Sequence, residues 1–456
     1  MKQTIFALLP LLFLAPDVAA AQARPTAAER LRESALGDEV ALDIVEGLTT
    51  EIGPRLGGTE AEARARAWAV TKLKSLGFKN VHVEPTTMPV WIRGAETAEI
   101  VSPFPQKLAV TALGRSGATP PQGIIAEVVG FDSVEALRAA PEASVRGKIV
   151  FVTHQMRTTQ DGSSYGYFGP ARRSAPSIAA SKGAAAIVIR SVGTDSHRVP
   201  HTGSTVWGEG VTPIAAGALS IPDAENLQRM LKRGKVSMKL VLTPERRASG
   251  PSGNVVAEVP GSDPSAGIVL IGGHLDSWDL GTGAIDNAAG VAITAAAAKR
   301  IMEAGRPRRT IRIVWFGDEE MNQSGSKSYL AAHRNEPIVL VAESDFGADR
   351  VWRVDFAFAP GNAALADRIA AGLAPLGIAR GSEAANAGAD LGGWVKAGVA
   401  GIDLQQDGTR YFDLHHTADD TFDKVDPAQL AQNVAAWTVM LDAVANAPET
   451  IIRTAP

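Results

Sequence analysis

The chain of 456 residues contains no cysteine. Disulfides and thiolate metal sites are therefore excluded, and any metal must be held by His, Asp and Glu. Charge excess is lacking too: 45 Lys and Arg against 49 Asp and Glu leave a net charge of −4, which supplies no electrostatic case for binding nucleic acid or an anionic membrane surface. A small neutral or zwitterionic substrate fits that balance better. No segment is long and apolar enough to span a bilayer, which takes roughly 18 or more uninterrupted residues. The first residues, "MKQTIFALLPLLFLAPDVAAAQA", carry a basic Lys2, an apolar stretch from Ile5 to Ala15 broken by Pro10, and small residues reading A-x-A at Ala21 to Ala23. This pattern predicts a signal peptide over residues 1–23 and a mature chain that is secreted or periplasmic, with no membrane span.

What is present is core-forming residue. With 45% hydrophobic and 21% charged residues, the chain can bury a large core in about two structural units. "DEVALDIVEGLTTEIGPRLGG" reads as a helix ending at a Gly-Pro turn, and "TEAEARARAWAVTKLKSLGF" opens a second helix with a capping box at Thr59 and Glu62. "NVHVEP" follows as a short alternating strand. Residues 97–248 change texture, with short β-like runs such as "GKIVFVTH" and "AAAIVIRSV" between turn-rich stretches. The ordered phrases "VRGKIVFV", "SIAASKGAAAIVI" and "LQRMLKRGKVSMKLVL" resemble the protease-associated domain, a β-rich insert. Residues 24–96 and 249–456 then form one discontinuous domain. In it the strands "GIVLIGG", "TIRIVWFG", "PIVLVAES" and "VAGIDLQ" alternate with helical segments, which predicts an α/β fold with a mainly parallel sheet between helices.

Ligands of open α/β sheets bind at the carboxyl ends of strands. Polar groups collect there in this sequence. His274 and Asp276 follow "GIVLIGG", Glu319 and Glu320 follow "TIRIVWFG", Asp345 follows "PIVLVAES", and Asp286 opens the alanine-rich helix. Singly, each has an ordinary explanation, as a helix cap, a solvated turn or a local hydrogen bond. Together they place four or more carboxylates on one rim, where they repel unless cations neutralise them. Oxygen ligands with one or two imidazoles suit zinc, with manganese or cobalt as substitutes. A second imidazole is offered near the C-terminus by His415 or His416 in "YFDLHHTADDTFDKVDP"; His82 and His333 lie outside any cluster, and His154, His197 and His201 belong to the insert.

The phrases "GGHLDSWDLGTGAIDNAAG", "WFGDEEMNQSGSKSYL", "ESDFG" and "HHTADDT", in this order, resemble the M28 family of dizinc exopeptidases, and within it the secreted carboxypeptidase Q branch. The resemblance covers nearly the whole mature chain and implies a zinc exopeptidase-like fold and two zinc ions per chain. One ion is assigned to His274 and Asp345 and the other to Glu320 and His416, with Asp286 bridging. It implies Glu319 as the general base, Asp276 as the carboxylate orienting a ligand imidazole, and His415 as a neighbour shaping the pocket. The expected activity is hydrolysis of dipeptides or short peptides, with Glu319 moving a proton from the attacking water to the leaving amine. Tyr411 is a candidate oxyanion donor, and Asp390, in the glycine-rich "NAGADLGGW", is a candidate partner for a substrate amine. Self-association as a homodimer is also consistent with the resemblance. Alternatives are an aminopeptidase acting on longer N-termini, a glutaminyl cyclase-like acyltransferase with a single zinc, and a binding module whose working part is the insert.

Overall fold

The apolar runs bounded by glycine form the centre of an eight-stranded sheet in the computed structural model, which describes residues 25–452. The expected signal segment, residues 1–23, lies outside the described residues. The strands are β1 (Lys79–Ile92), β2 (Glu245–Val259), β3 (Ile268–His274), β4 (Thr310–Phe316), β5 (Ile338–Glu343), β6 (Val351–Ala357), β7 (Ala379–Arg380) and β8 (Ala400–Gln406), in the spatial order β1-β2-β4-β3-β5-β8-β6-β7. The four central strands, β4, β3, β5 and β8, are parallel, while β1, β2 and β6 pair antiparallel. The sheet is thus parallel where it is buried and mixed at its margins.

Alternation along β3 divides the core. Val269 and Ile271 face one side, packed under the helix α2 (Ala289–Ala304) and the long helix α5 (Pro427–Ala445). Leu270 faces the other, with residues of α3 (Ser324–His333) and α4 (Gly388–Lys396) such as Tyr329, Leu391 and Trp394. Burial on both faces explains why these strands read as continuous apolar runs.

Two local expectations need correction. The strand read at "NVHVEP" extends over all of β1, because its long partner β2 pairs with it antiparallel from Lys79 to Ile92, with irregularities between Lys79 and His82 and between Met88 and Val90. The capping box at the helix α1 (Glu60–Ser75) forms only in half. The Thr59 hydroxyl accepts from Glu62 N at 3.3 Å, but the Glu62 carboxylate turns inward, taking Gly58 N at 2.9 Å and the Ser252 hydroxyl at 2.6 Å. Tertiary hydrogen bonds to a buried carboxylate outweigh the local return bond.

Residues from Glu96 to Leu242 build a second eight-stranded sheet. Its parallel middle, Ile124–Phe131, Ile149–Val152, Ala186–Arg190 and Ala215–Leu219, carries helices in the first two of its three connections.

Candidate metal centre

Because β3, β4 and β5 run side by side in one direction, their carboxyl ends deliver His274, the Glu319–Glu320 turn and Asp345 to one rim. The loop after β8 brings His415 and His416 to the same place. Asp286 arrives by the glycine ribbon between β3 and α2. The ordinary alternative for Asp286, a plain helix cap, is taken by its neighbour: the Asn287 side chain accepts from Gly290 N at 2.9 Å, and Asp286 keeps non-helical backbone with its carboxylate facing the rim. The ribbon is held from below by Arg55. Fully buried, this side chain donates to the carbonyls of Leu275 at 2.6 Å, Thr282 at 2.6 Å and Gly283 at 2.8 Å.

Asp286 divides the site in two. Its Oδ1 lies 3.1 Å from His274 Nε2, which is also 3.1 Å from Asp345 Oδ1. Its Oδ2 lies 3.3 Å from His416 Nε2, which is 3.1 Å from Glu320 Oε2. Each oxygen of one carboxylate therefore meets a separate histidine and carboxylate pair. His415 stacks on His416 with ring centroids 3.4 Å apart, and its Nε2 is 3.6 Å from Asp286 Oδ2. His416 Nδ1 lies between the Thr202 carbonyl, at 3.3 Å, and Arg172 Nη1, at 3.2 Å, and its Nε2 faces the site.

The electrostatics match the crowding. Burial, reinforced by Asp345, Asp390 and Asp276, pushes the Glu319 carboxyl well above the usual carboxylate range, although His274 opposes the shift. Burial, with Asp286 and Glu319, does the same to Glu320. His416 is lowered to about 4 by burial and by Arg172, so it is neutral at physiological pH. Burial works against a charged His274, but the surrounding carboxylates of Asp345, Asp276 and Asp286 outweigh it and hold that imidazole well above its ordinary value. In effect a proton on His274 stands where a cation would relieve the same repulsion. Glu320 Oε1 is buried without a hydrogen-bond partner, an acceptor such a cation would satisfy. The donor set of nitrogen and carboxylate oxygen, with no sulfur, fits zinc.

The remaining expected residues fall at different depths. The Asp276 main-chain carbonyl, at 3.0 Å, takes His274 Nδ1, while its carboxylate, 3.7 Å from that nitrogen, accepts from Glu319 N at 3.1 Å and Glu320 N at 3.3 Å. It thus holds the glutamate turn more directly than the imidazole. Tyr411 lines the cleft, packed on Phe346 and His415, and burial keeps its phenol protonated. Asp390 lies in the first turn of α4, behind Ala389, buried near the Ser326 hydroxyl, with its pKa raised by burial to about 7. Ala389, not Asp390, forms the cleft wall, so a direct role with a substrate amine has no support in the geometry.

The cleft over the rim measures about 530 Å³. One wall comes from the second sheet's region: Arg115, Tyr165, Arg172, Arg173, Ser204 and Val206. That region also grips the loops that carry Glu320, His415 and His416. Ser204 donates to the Glu320 carbonyl at 2.6 Å, Thr202 N donates to the His416 carbonyl at 3.0 Å, and His201, paired with Asp195, donates to the His415 carbonyl at 2.8 Å. None of this was readable beforehand. Arg55 offered no signal beyond a lone arginine in "GPRLGG". Asp420, which accepts from Ile285 N at 2.7 Å and ties the ribbon to the last loop, stood inside the "HHTADDT" phrase without an assigned role.

The family described as Peptidase family M28 matches residues 254–441. Carboxypeptidase Q of Bos taurus is 35% identical over 411 residues, covering 89% of this chain and 85% of that protein, and the Homo sapiens protein of the same name gives the same values. The crystal structure of a peptidase M28 precursor from Shewanella amazonensis SB2B superposes with a TM-score of 0.92 at 45% identity, covering 94% of this chain and 98% of that one. An aminopeptidase from Aneurinibacillus sp. strain AM-1 shares the fold with a TM-score of 0.64 at 21% identity, over 94% of this chain and 99% of the other.

Proposed function

The chain belongs to peptidase family M28 and is a metallo-exopeptidase, and on that premise we propose that it hydrolyses dipeptides or other short peptides at a two-zinc site, with Glu319 as general base. In this reading His274 and Asp345 would hold one ion, Glu320 and His416 would hold the other, and Asp286 would serve both. The observation that carries it is the division of Asp286, one oxygen facing each histidine and carboxylate pair. A single-zinc acyltransferase has no need of that second pair.

Bound zinc supplies Lewis acidity for the scissile carbonyl and acidity for a nearby water. The chain's own residues do the rest. Glu319 takes a proton from water as its oxygen bonds to the carbonyl carbon, and returns it to the amine nitrogen as the C–N bond breaks. A raised pKa suits a group that must both accept and release a proton near neutrality. Gln323 Nε2, 3.3 Å from Glu319 Oε1, helps to hold the carboxylate. Tyr411, kept as a neutral phenol in the cleft, donates to the developing oxyanion. His415 packs His416 in place. Residues 97–248 act as an insert that closes one wall, and residues 1–23 direct export. Among the described residues no helix is long and apolar enough to cross a membrane.

The test is Glu319→Gln. The variant should retain wild-type zinc content and lose about two to four orders of magnitude in kcat on a dipeptide. Wild-type turnover in that variant would remove Glu319 from the mechanism. One zinc per chain in the active wild-type protein would remove the two-metal reading.

A further inference from the structure

Sequence set His82 and His333 outside any cluster, yet the fold brings both to one carboxylate. His82 and Glu84 stand two residues apart on β1 and so share a face of the sheet's margin. Packing of α3 on β1 carries His333, the last residue of that helix, to the same face. His333 Nε2 lies 3.0 Å from each oxygen of Glu84, and His82 Nε2 lies 3.4 Å from Glu84 Oε1. These separations match the 3.1 to 3.3 Å between imidazole and carboxylate in the metal centre, and the edge of a zinc tetrahedron is about 3.3 Å. The cluster is a separate place, because α3 begins beside the glutamate turn and its ten residues carry His333 about 15 Å along the helix.

The far nitrogen of each ring is already tied to an acceptor. His82 Nδ1 is 2.6 Å from the Asn80 carbonyl, and His333 Nδ1 is 2.7 Å from the Glu336 carboxylate. With the ring proton donated there, both neutral imidazoles turn an Nε2 lone pair toward Glu84, and such an arrangement repels unless a proton or a metal ion lies between. Tyr329 stacks on the His333 ring at 4.1 Å, and Arg312 pairs with Glu336, so the inner half is preset. The side chain of His82 is 51% exposed and leaves the outer half open to solvent.

Charge points the same way. The group holds three carboxylates, Glu84, Glu258 and Glu336, and one guanidinium, Arg312, so with neutral imidazoles it keeps two negative charges. Burial works against a charged His333, but Glu336 and Glu84 outweigh it and hold that pKa above its ordinary value. A proton there supplies one positive charge. A divalent cation supplies two and takes both Nε2 lone pairs at once.

We propose that His82, Glu84 and His333 form an accessory site for a zinc-class divalent cation, with Glu336 orienting His333, and that the bound ion clamps the C-terminal end of α3 to β1. Two imidazole nitrogens and a carboxylate oxygen are a donor set for zinc, cobalt, nickel or copper rather than for magnesium or calcium.

The experiment dialyses the full chain to equilibrium against increasing free zinc and counts zinc per chain in wild type, the double variant His82→Ala/Glu84→Gln, and Glu336→Gln. At saturation wild type should hold one more zinc than the double variant. Glu336→Gln should bind that extra ion about 10- to 100-fold more weakly. Zinc beyond the complement of the metal centre should raise the Tm of wild type and leave that of the double variant unchanged. Equal zinc content in wild type and the double variant, or an equal rise in Tm, overturns the proposal. If the double variant does not fold, His82→Ala alone, at its half-exposed position, must still weaken the extra ion about tenfold or more; unchanged affinity there overturns the proposal as well. All these proteins share the metal centre and none of the readouts needs turnover, so this site and the peptidase mechanism stand or fall separately.

Discussion

Replacing Asp276 by asparagine probes the link between the strand that carries His274 and the turn that carries both glutamates. The Asp276 side chain is fully buried, and its two oxygens accept from Glu319 N at 3.1 Å and Glu320 N at 3.3 Å. Asparagine keeps one acceptor and turns an amide N–H₂ toward the other main-chain N–H. One charge-assisted bond is lost, the second is weakened to a neutral one, and a buried donor is left unsatisfied. At about 1.5 kcal/mol for each of the three effects at these rather long distances, the sum is about 4 to 5 kcal/mol. The main-chain carbonyl that takes His274 Nδ1 at 3.0 Å survives the substitution, so the imidazole keeps its orientation and the damage falls on the glutamate turn. Urea unfolding of the metal-free protein should show that loss of stability. Zinc titration against a competing chelator should show affinity weakened by about 10- to 100-fold, with kcat/KM for a dipeptide reduced even at saturating zinc. A variant within about 1 kcal/mol of wild type in stability and within twofold in kcat/KM would refute the reasoning.

Arg55→Met leaves three ribbon carbonyls buried without their donor and should cost about 3 to 5 kcal/mol in urea unfolding; a loss below about 1 kcal/mol would show that water replaces the guanidinium. Gly290→Ala puts a methyl 2.0 Å from the Ser344 carbonyl and 2.2 Å from Asn287 Oδ1, so it should displace the cap that frees Asp286, with a loss of about 1 to 3 kcal/mol and of zinc affinity. Gly166→Ala, where no atom lies within 4 Å, is the control and should change stability by less than about 0.5 kcal/mol. His154 is buried with Nε2 donating to the Arg190 carbonyl at 3.0 Å and Nδ1 accepting from Met156 N at 3.3 Å. Burial lowers its pKa to about 4 from 6.5, helped by the charges of Arg190 and His201 and opposed by the hydrogen bond to the Arg190 carbonyl. The unfolded chain therefore takes up the proton first as pH falls. The contribution is complete above about pH 6.5 and declines by about 3 kcal/mol as pH drops toward 4. Urea midpoints from pH 7 to 4.5 should fall more steeply for wild type than for His154→Gln; parallel curves would remove His154 from the acid limb.

The strands at "GIVLIGG", "TIRIVWFG", "PIVLVAES" and "VAGIDLQ" were legible because burial on both faces selects continuous apolar runs. The polar groups that end them were legible because parallel strands bring their carboxyl ends to one edge. The extent of β1 was not, since it depends on the register of β2, more than 150 residues away along the chain. The Glu62 cap failed for the same kind of reason: Ser252 offered the carboxylate a better partner than its own helix start.

Sequence by itself determined the ligand inventory, because chemistry is carried by residue type: with no cysteine, only imidazoles and carboxylates remain to bind a metal. Tertiary structure alone decided how that inventory divides. Distances of 3.1 to 3.3 Å from the two oxygens of Asp286 to two different histidines follow from the packing that brings the ribbon after β3 against the loop after β8. Tertiary packing likewise sets the backing of the ribbon by Arg55, the grip of Ser204 and His201 on the loops that carry Glu320 and His415, and the approach of His333 to Glu84. Apart from His274 and Asp286, twelve residues apart on one ribbon, these partners are distant along the chain, and a contact between distant residues is decided by the fold that joins them, not by either residue's own pattern.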